Sequence, residues 1–267
     1  MEKINYRRVI LLVVIIITII IGLKYFKQNK KVEYRGEEQF YYKDRVYTEL
    51  TKEDFEYLTN NKQVSRLDLG KELFKLEYNE LEVKNNTTYC EEIGECEVYE
   101  YNRIDSEALL VVKGKEGYKL FAFSNFINET QEELFDATKT IELYNMKAEN
   151  ISSIEILEEK SNDITLMKTV TDENLIKKFY EKYKELKDVG NVVYNDDLNE
   201  DIVDFSDIEN VYSERLKNAK IIKINMRNKL YVELNYYPEI SYMIDNNSYY
   251  KIDEELLPII QEIISEQ

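Results

Sequence analysis

From Val9 to Leu23 the chain reads VILLVVIIITIIIGL, broken only by Thr18 and Gly22, and Tyr25 and Phe26 carry the apolar run past Lys24. Residues 9–26, at about 1.5 Å of rise each, reach about 27 Å, close to the hydrocarbon thickness of a bilayer. Tyr6 and Tyr25 suit the two interfaces, and Lys24 can snorkel. No small-x-small cleavage site follows Gly22, so the pattern predicts an uncleaved transmembrane anchor behind a short basic tail, residues 1–8. A cleaved signal peptide and a buried core helix are the rival readings. Basic residues lie on both sides: Lys3, Arg7 and Arg8 before the span, and Lys24, Lys27, Lys30, Lys31 and Arg35 after it. Local charge alone favours the following segment inside, but long domains translocate largely regardless of charge. The expectation is a single-pass protein of the cell membrane, N-terminus cytoplasmic and C-terminal body outside.

Beyond the span the period changes. Residues 27–38, KQNKKVEYRGEE, have none and read as a tether. Residues 39–127 then show strand-like alternation: a hairpin in Gln39–Leu50 turning at Lys43-Asp44, a short helix from Thr51 to Leu58, and a strand through Val64, Leu67 and Leu69 up to Gly70. Strands follow at Glu97–Tyr101, Ala108–Val112 and Tyr118–Phe123. The last two are joined by Lys113-Gly114-Lys115-Glu116-Gly117, the clearest hairpin signal in the chain. Residues 128–139 read as a connecting helix with Leu134 on its apolar side. In residues 140–267, a hairpin joins Ile151–Leu157 to Ile164–Val170, and Thr171 caps a helix striped by Leu175, Ile176, Phe179, Tyr180, Tyr183 and Leu186 and ended by Gly190. A capping box of Ser206 and Glu209 opens a second helix to Lys217. Strands at Ile221–Met226, Leu230–Tyr236, Ile240–Ile244 and Tyr249–Ile252 make a meander. A last helix, Glu254–Ile264, can start only at Leu257 if Pro258 sets its first turn. The fold class expected is α+β: a transmembrane helix, a mostly antiparallel-β domain, and an α+β domain whose antiparallel meander carries packed helices.

Composition narrows the chemistry. The 267 residues include no His and no Trp, against 23 Tyr. Without histidine the commonest general base and metal ligand are missing, so Ser-His-Asp and Cys-His catalysis are excluded, and two cysteines cannot build a four-ligand zinc site. Net charge is −17, and the first 31 residues hold seven of the 36 basic and one of the 53 acidic residues. The remainder is therefore near −23. So acidic a body disfavours nucleic acid and stands off anionic lipid, while basic peptides or proteins are electrostatically permitted partners.

Four candidate features remain. Cys90 and Cys96 bracket Glu-Glu-Ile-Gly-Glu between strands; a disulfide there would close a short loop and fit an oxidising exterior, and two unrelated thiols is the alternative. Asp197, Asn199 and Asp201 match positions 1, 3 and 5 of a calcium loop, but Ile202 stands where Gly is needed and Ile208 where a bidentate Glu is needed, so a solvated acidic loop is the better reading. Tyrosines at 41, 42, 47, 231, 236, 237, 242, 249 and 250 could form a binding face, but in a chain without Trp they serve first as core and strand filler. Paired carboxylates for glycoside hydrolysis are uninformative where acids are this abundant. No residue stands out as catalytic, cofactor-binding or metal-binding, and no cofactor is expected.

The basic head, the anchor without a cleavage site and the Tyr-, Asn-, Lys- and Glu-rich body without Trp resemble uncharacterised membrane-anchored surface proteins of low-GC Gram-positive bacteria. The resemblance is one of architecture and composition, implies a cell-envelope location and carries over no functional residue. The function expected is a non-enzymatic, membrane-tethered, extracytoplasmic binding or interaction protein with a protein or cell-envelope partner. A regulatory or sensor protein, an immunity-type protective protein and a hydrolase using carboxylates are the alternatives.

Overall fold

A computed structural model describes residues 38–79, 85–88, 90–115, 117–127, 134–160, 163–199, 216, 218–245 and 248–265. The anchor at 9–26, the tether up to residue 37, residues 128–133 of the expected connecting helix and nearly all of the helix expected at 206–217 lie outside these. Among the described residues no helix is long and apolar enough to cross a membrane.

Lys43 and Asp44 both take positive φ, 50° and 57°, the left-handed pair that a two-residue hairpin needs. They join β1 (Gln39–Tyr42) to β2 (Arg45–Glu49), with Tyr42 opposite Arg45. Helix α1 (Lys52–Thr59) follows, its first turn capped by the Thr51 hydroxyl, which accepts from the Asp54 amide at 3.2 Å. The strand expected from Val64 to Gly70 is instead a 3-10 turn, Arg66–Asp68, and the strand β3 begins at Leu69 and runs to Lys75. The reason is local: the Asp68 carboxylate accepts from the Ser65 amide at 2.8 Å, closing a capping box that curls the backbone where alternation alone reads as extended. Leu67 is left 89% exposed.

The short strands β4 (Glu77–Tyr78) and β5 (Thr87–Thr88) pair parallel, the only parallel pair among the described residues. β6 (Glu97–Tyr101), β7 (Leu109–Gly114) and β8 (Gly117–Phe126) form the antiparallel centre, with Gly114 opposite Gly117 at the anticipated hairpin. The eight strands are ordered β3-β6-β7-β8-β2-β1-β5-β4. Leu109, Leu110, Val111 and Val112 are all buried, so β7 is covered on both faces.

The connecting helix is displaced along the sequence: α2 spans Ala137–Tyr144, while Leu134 is exposed. β9 (Ile151–Lys160) and β10 (Asp163–Val170) form the next hairpin. Helix α3 (Glu173–Tyr183) is capped by Asp172 rather than Thr171, its carboxylate accepting from the Leu175 amide at 2.8 Å. Gly190 does not end α3. Its φ of 77° opens a further helix, α4 (Gly190–Asn199), and the buried Asp188 carboxylate accepts from the Gly190 amide at 2.9 Å. The segment expected as an acidic loop is thus helical as far as Asn199.

The strands β11 (Lys220–Met226), β12 (Tyr231–Tyr237), β13 (Tyr242–Asp245) and β14 (Ser248–Lys251) form the meander, and α5 (Leu257–Ile264) starts where Pro258 demands. The second sheet is ordered β10-β9-β11-β12-β13-β14. The architecture is mixed α+β, rich in strand, with antiparallel sheets. Gln39–Gln267 form one compact unit, and residues of both sheets join one hydrophobic core. Phe126 stacks on Phe135 at 4.6 Å and Phe123 meets Tyr144 edge-on at 6.3 Å, so the segment carrying α2 links the two sheets. The opposite face of the second sheet is partly covered by α4, whose Tyr194 and Leu198 pack with Tyr242 in a smaller cluster.

Candidate binding cleft

A concavity lined by converging polar groups lies beside the β1–β2 turn. It has a volume of about 620 Å³ and is bounded by that turn, by the loop between β6 and β7, and by the C-terminal end of α2.

The β6–β7 loop is held by backbone and side-chain bonds along its length. Asn102 donates from its side chain to the Leu69 carbonyl at 2.7 Å, and its amide donates to the Asp68 carbonyl at 2.9 Å. Ser106 and Ala108 donate to the Leu143 carbonyl at the end of α2, at 2.8 and 3.1 Å. Asn145, which leaves α2 in the left-handed conformation with φ of 47°, donates to the Asp105 carboxylate at 2.9 Å. Asparagine at that position serves two purposes: it tolerates positive φ, and its amide ties the helix end to the loop.

Charge in the cleft is unequal. Glu100, Asp105, Glu107 and Glu142 contribute carboxylates against Lys43 and Arg45. Glu107 takes both cations, Lys43 at 2.9 Å and Arg45 at 2.5 Å, and the Tyr47 hydroxyl donates to the Glu107 carbonyl at 2.9 Å. Partial burial pushes the Glu107 carboxyl upward, but the hydrogen bonds from Lys43 and Arg45 outweigh it and hold the group below its ordinary value. A glycosidase acid needs a carboxyl kept protonated, which is the opposite condition. Arg45 is the more committed partner, with only 13% of its side chain exposed. Replacing Glu107 by glutamine should therefore cost about 1 kcal/mol in urea denaturation, because Glu107 itself is half exposed and water screens part of the loss. A cost of several kcal/mol would show instead that Arg45 is sealed from solvent without it.

The positions singled out in the sequence are elsewhere. Cys90 and Cys96 flank a 3-10 turn, Glu91–Ile93, on the first sheet's side. Their sulfurs have different neighbours: Cys90 donates to Glu92 at 3.2 Å, and the Cys96 sulfur lies 3.4 Å from where a β-carbon on Gly114 would stand. Asp197 is on α4 and accepts from the Tyr242 hydroxyl at 2.7 Å and from Lys251 at 2.5 Å, a structural tie between helix and sheet. Asp201, the third member of the calcium pattern, lies outside the described residues. Among those, no group of Cys, Asp or Glu is placed to hold a metal ion. Of the tyrosines, Tyr47, Tyr236, Tyr242 and Tyr250 are buried, and Tyr41, Tyr42, Tyr231, Tyr237 and Tyr249 are partly buried.

None of the cleft residues stood out in the sequence. Lys43 was legible as a turn residue, but the meeting of residues 43–45, 100–107 and 142–145 depends on the pairing of β2 with β8 and of β7 with β8. The fold and cleft define a strand-rich α+β protein with a polar, acid-lined groove. No protein-family model, curated protein or solved structure matches the chain.

Proposed function

We propose that the chain is a membrane-tethered, extracytoplasmic binding protein, non-enzymatic, whose cleft receives a cationic side chain of a protein or cell-envelope partner. The observation that carries this reading is the cleft itself: a cavity of about 620 Å³ with four carboxylates to two cations, its walls positioned by hydrogen bonds before any ligand arrives. Preorganisation lowers the ordering cost of binding, and the net negative lining selects a basic group. The apolar run at 9–26 and the acidic body support the location and the partner's charge. The histidine-free composition and a Glu107 held ionised by Lys43 and Arg45 support binding over hydrolysis.

A short arginine-containing peptide titrated into the full chain should bind with an affinity that falls as salt rises. Neutralising Asp105→Asn and Glu142→Gln should each weaken it about five-fold, roughly 1 kcal/mol. Binding unchanged in both variants would remove the cleft from the interaction. Location is tested separately by a membrane-impermeant thiol reagent on intact and lysed cells, with and without reductant. Reaction of Cys90 and Cys96 in intact cells places the body outside, and reaction only after lysis sinks that part of the proposal.

A further inference from the structure

The edge strand β10 breaks the ordinary rule for sheet edges, since its first five residues, Asp163–Met167, are exposed on both faces and include Ile164 at 62%, Leu166 at 53% and Met167 at 49% exposure. Open, apolar edges are templates for pairing, and soluble proteins normally blunt them with charge or proline. Here a bulge between Leu166 and Lys168 interrupts the ladder, and the Lys168 ammonium is drawn back to the carbonyls at the end of α5, Glu262 at 3.3 Å and Ser265 at 2.7 Å. β10 is the terminal strand of its sheet, with β9 as its one strand neighbour among the described residues.

The register fixes which backbone groups face outward. Asp163 pairs with Lys160 across a two-residue loop, so these two exchange hydrogen bonds. Alternation along the ladder then directs the amides and carbonyls of Ile164 and Leu166 away from β9. Leu166 lies opposite Leu157, and Leu157 opposite Ile221, so an apolar row crosses from β11 through β9 to the open edge. It stops there.

We propose that this edge pairs with the same edge of a second copy of the chain, antiparallel about a two-fold axis through Thr165. In that register Ile164 of one copy is hydrogen-bonded opposite Leu166 of the other and the reverse, so every outward backbone group of the exposed stretch is satisfied. Thr165 meets its own counterpart as a non-hydrogen-bonded pair. The apolar row runs unbroken across the junction, no like charges stand directly opposite, and Lys168 keeps its place at the end of α5. The other edge strand, β14, has a different sequence, so the assembly closes as a dimer of two six-stranded sheets. The pairing is independent of the cleft. A strand pair of this length buries less than the roughly 1,200 Å² of a standard interface, so it is weak when dilute, and repulsion between two acidic bodies makes it stronger as salt rises.

Cross-linking of the full chain at high concentration in detergent, in a Cys90→Ser, Cys96→Ser background, tests this. Thr165→Cys brings two thiol-bearing carbons to about 5 Å, whereas Thr169→Cys leaves its pair roughly 25 Å apart. Under a mild oxidant, the expected result is a disulfide-linked dimer at 165 at least five-fold above that at 169, enhanced by salt and lost when Leu166→Lys is added. No dimer at 165, equal yield at both positions, or a dimer that survives Leu166→Lys would each overturn the proposal.

Discussion

Asp245→Asn should remove a large pH dependence from the stability of this protein. Asp245 ends β13 fully buried, its carboxylate accepting from the hydroxyls of Thr140 on α2 at 2.7 Å and of Tyr183 on α3 at 3.3 Å. Burial raises its pKa from 3.8 to about 6, and the two hydroxyls, which favour the ionised form, only partly offset that. Because the folded pKa lies above the unfolded one, the folded state holds the proton more tightly. Its stabilising effect is therefore complete below about pH 4, declines as pH rises, and is gone above about pH 6. The displacement corresponds to about 3 kcal/mol. Urea denaturation of both proteins from pH 4 to pH 7 should give a stability difference, original minus variant, that falls by about that amount. Taking the difference cancels the contribution of the many other carboxylates. A difference that does not change with pH would show that Asp245 stays ionised throughout.

Phe40→Ala should be the most damaging single truncation near the start of the body. Phe40 is fully buried in β1, stacked on Tyr47 at 5.1 Å with an interplanar angle of 8°, and packed against Phe121 at 5.2 Å and Phe74 at 6.0 Å. Removing the ring leaves a cavity that three neighbouring aromatics cannot collapse into, at a cost of about 3–5 kcal/mol. The comparison is Leu67→Ala, which should change stability by no more than about 0.5 kcal/mol because Leu67 projects into solvent. Equal losses in the two variants would mean that the aromatic cluster is not the packed centre of the first sheet.

Those two residues mark where reading the sequence succeeds and fails. Phe40 and Tyr47 alternate correctly along a hairpin whose turn residues are evident, so their burial could be anticipated. Leu67 has the same local pattern as a strand residue, yet the capping box between Ser65 and Asp68 curls its backbone, and Asp68 is further engaged by Arg103 from a distant loop at 2.5 Å. Similarly, Thr171 and Asp172 both fit an N-cap, and the structure places Asp172 there, its carboxylate accepting from the Leu175 amide. Gly190 is legible as a residue of positive φ, but whether it closes one helix or opens the next depends on Asp188, whose carboxylate gathers the amides of Phe135, Gly190 and Tyr249. Ile164 and Leu166 alternate as core residues would and are nevertheless exposed, since β10 lies at the edge of its sheet.

By itself the sequence determined the local elements whose causes are local: the β1–β2 turn at Lys43-Asp44, the Gly114–Gly117 hairpin, the β9–β10 hairpin, the meander from Lys220 to Lys251 and the proline start of α5. It also determined the acidic charge and the absence of histidine chemistry, which depend on composition alone. Only the tertiary structure decided strand order, the position of α2, the burial of Asp245 and the convergence of Lys43, Arg45, Asp105, Glu107 and Glu142 on one cleft. These depend on contacts between residues tens of positions apart, such as Lys43 with Glu107 and Thr140 with Asp245, and a pattern of period two or 3.6 carries no information about which distant partner a given face will meet.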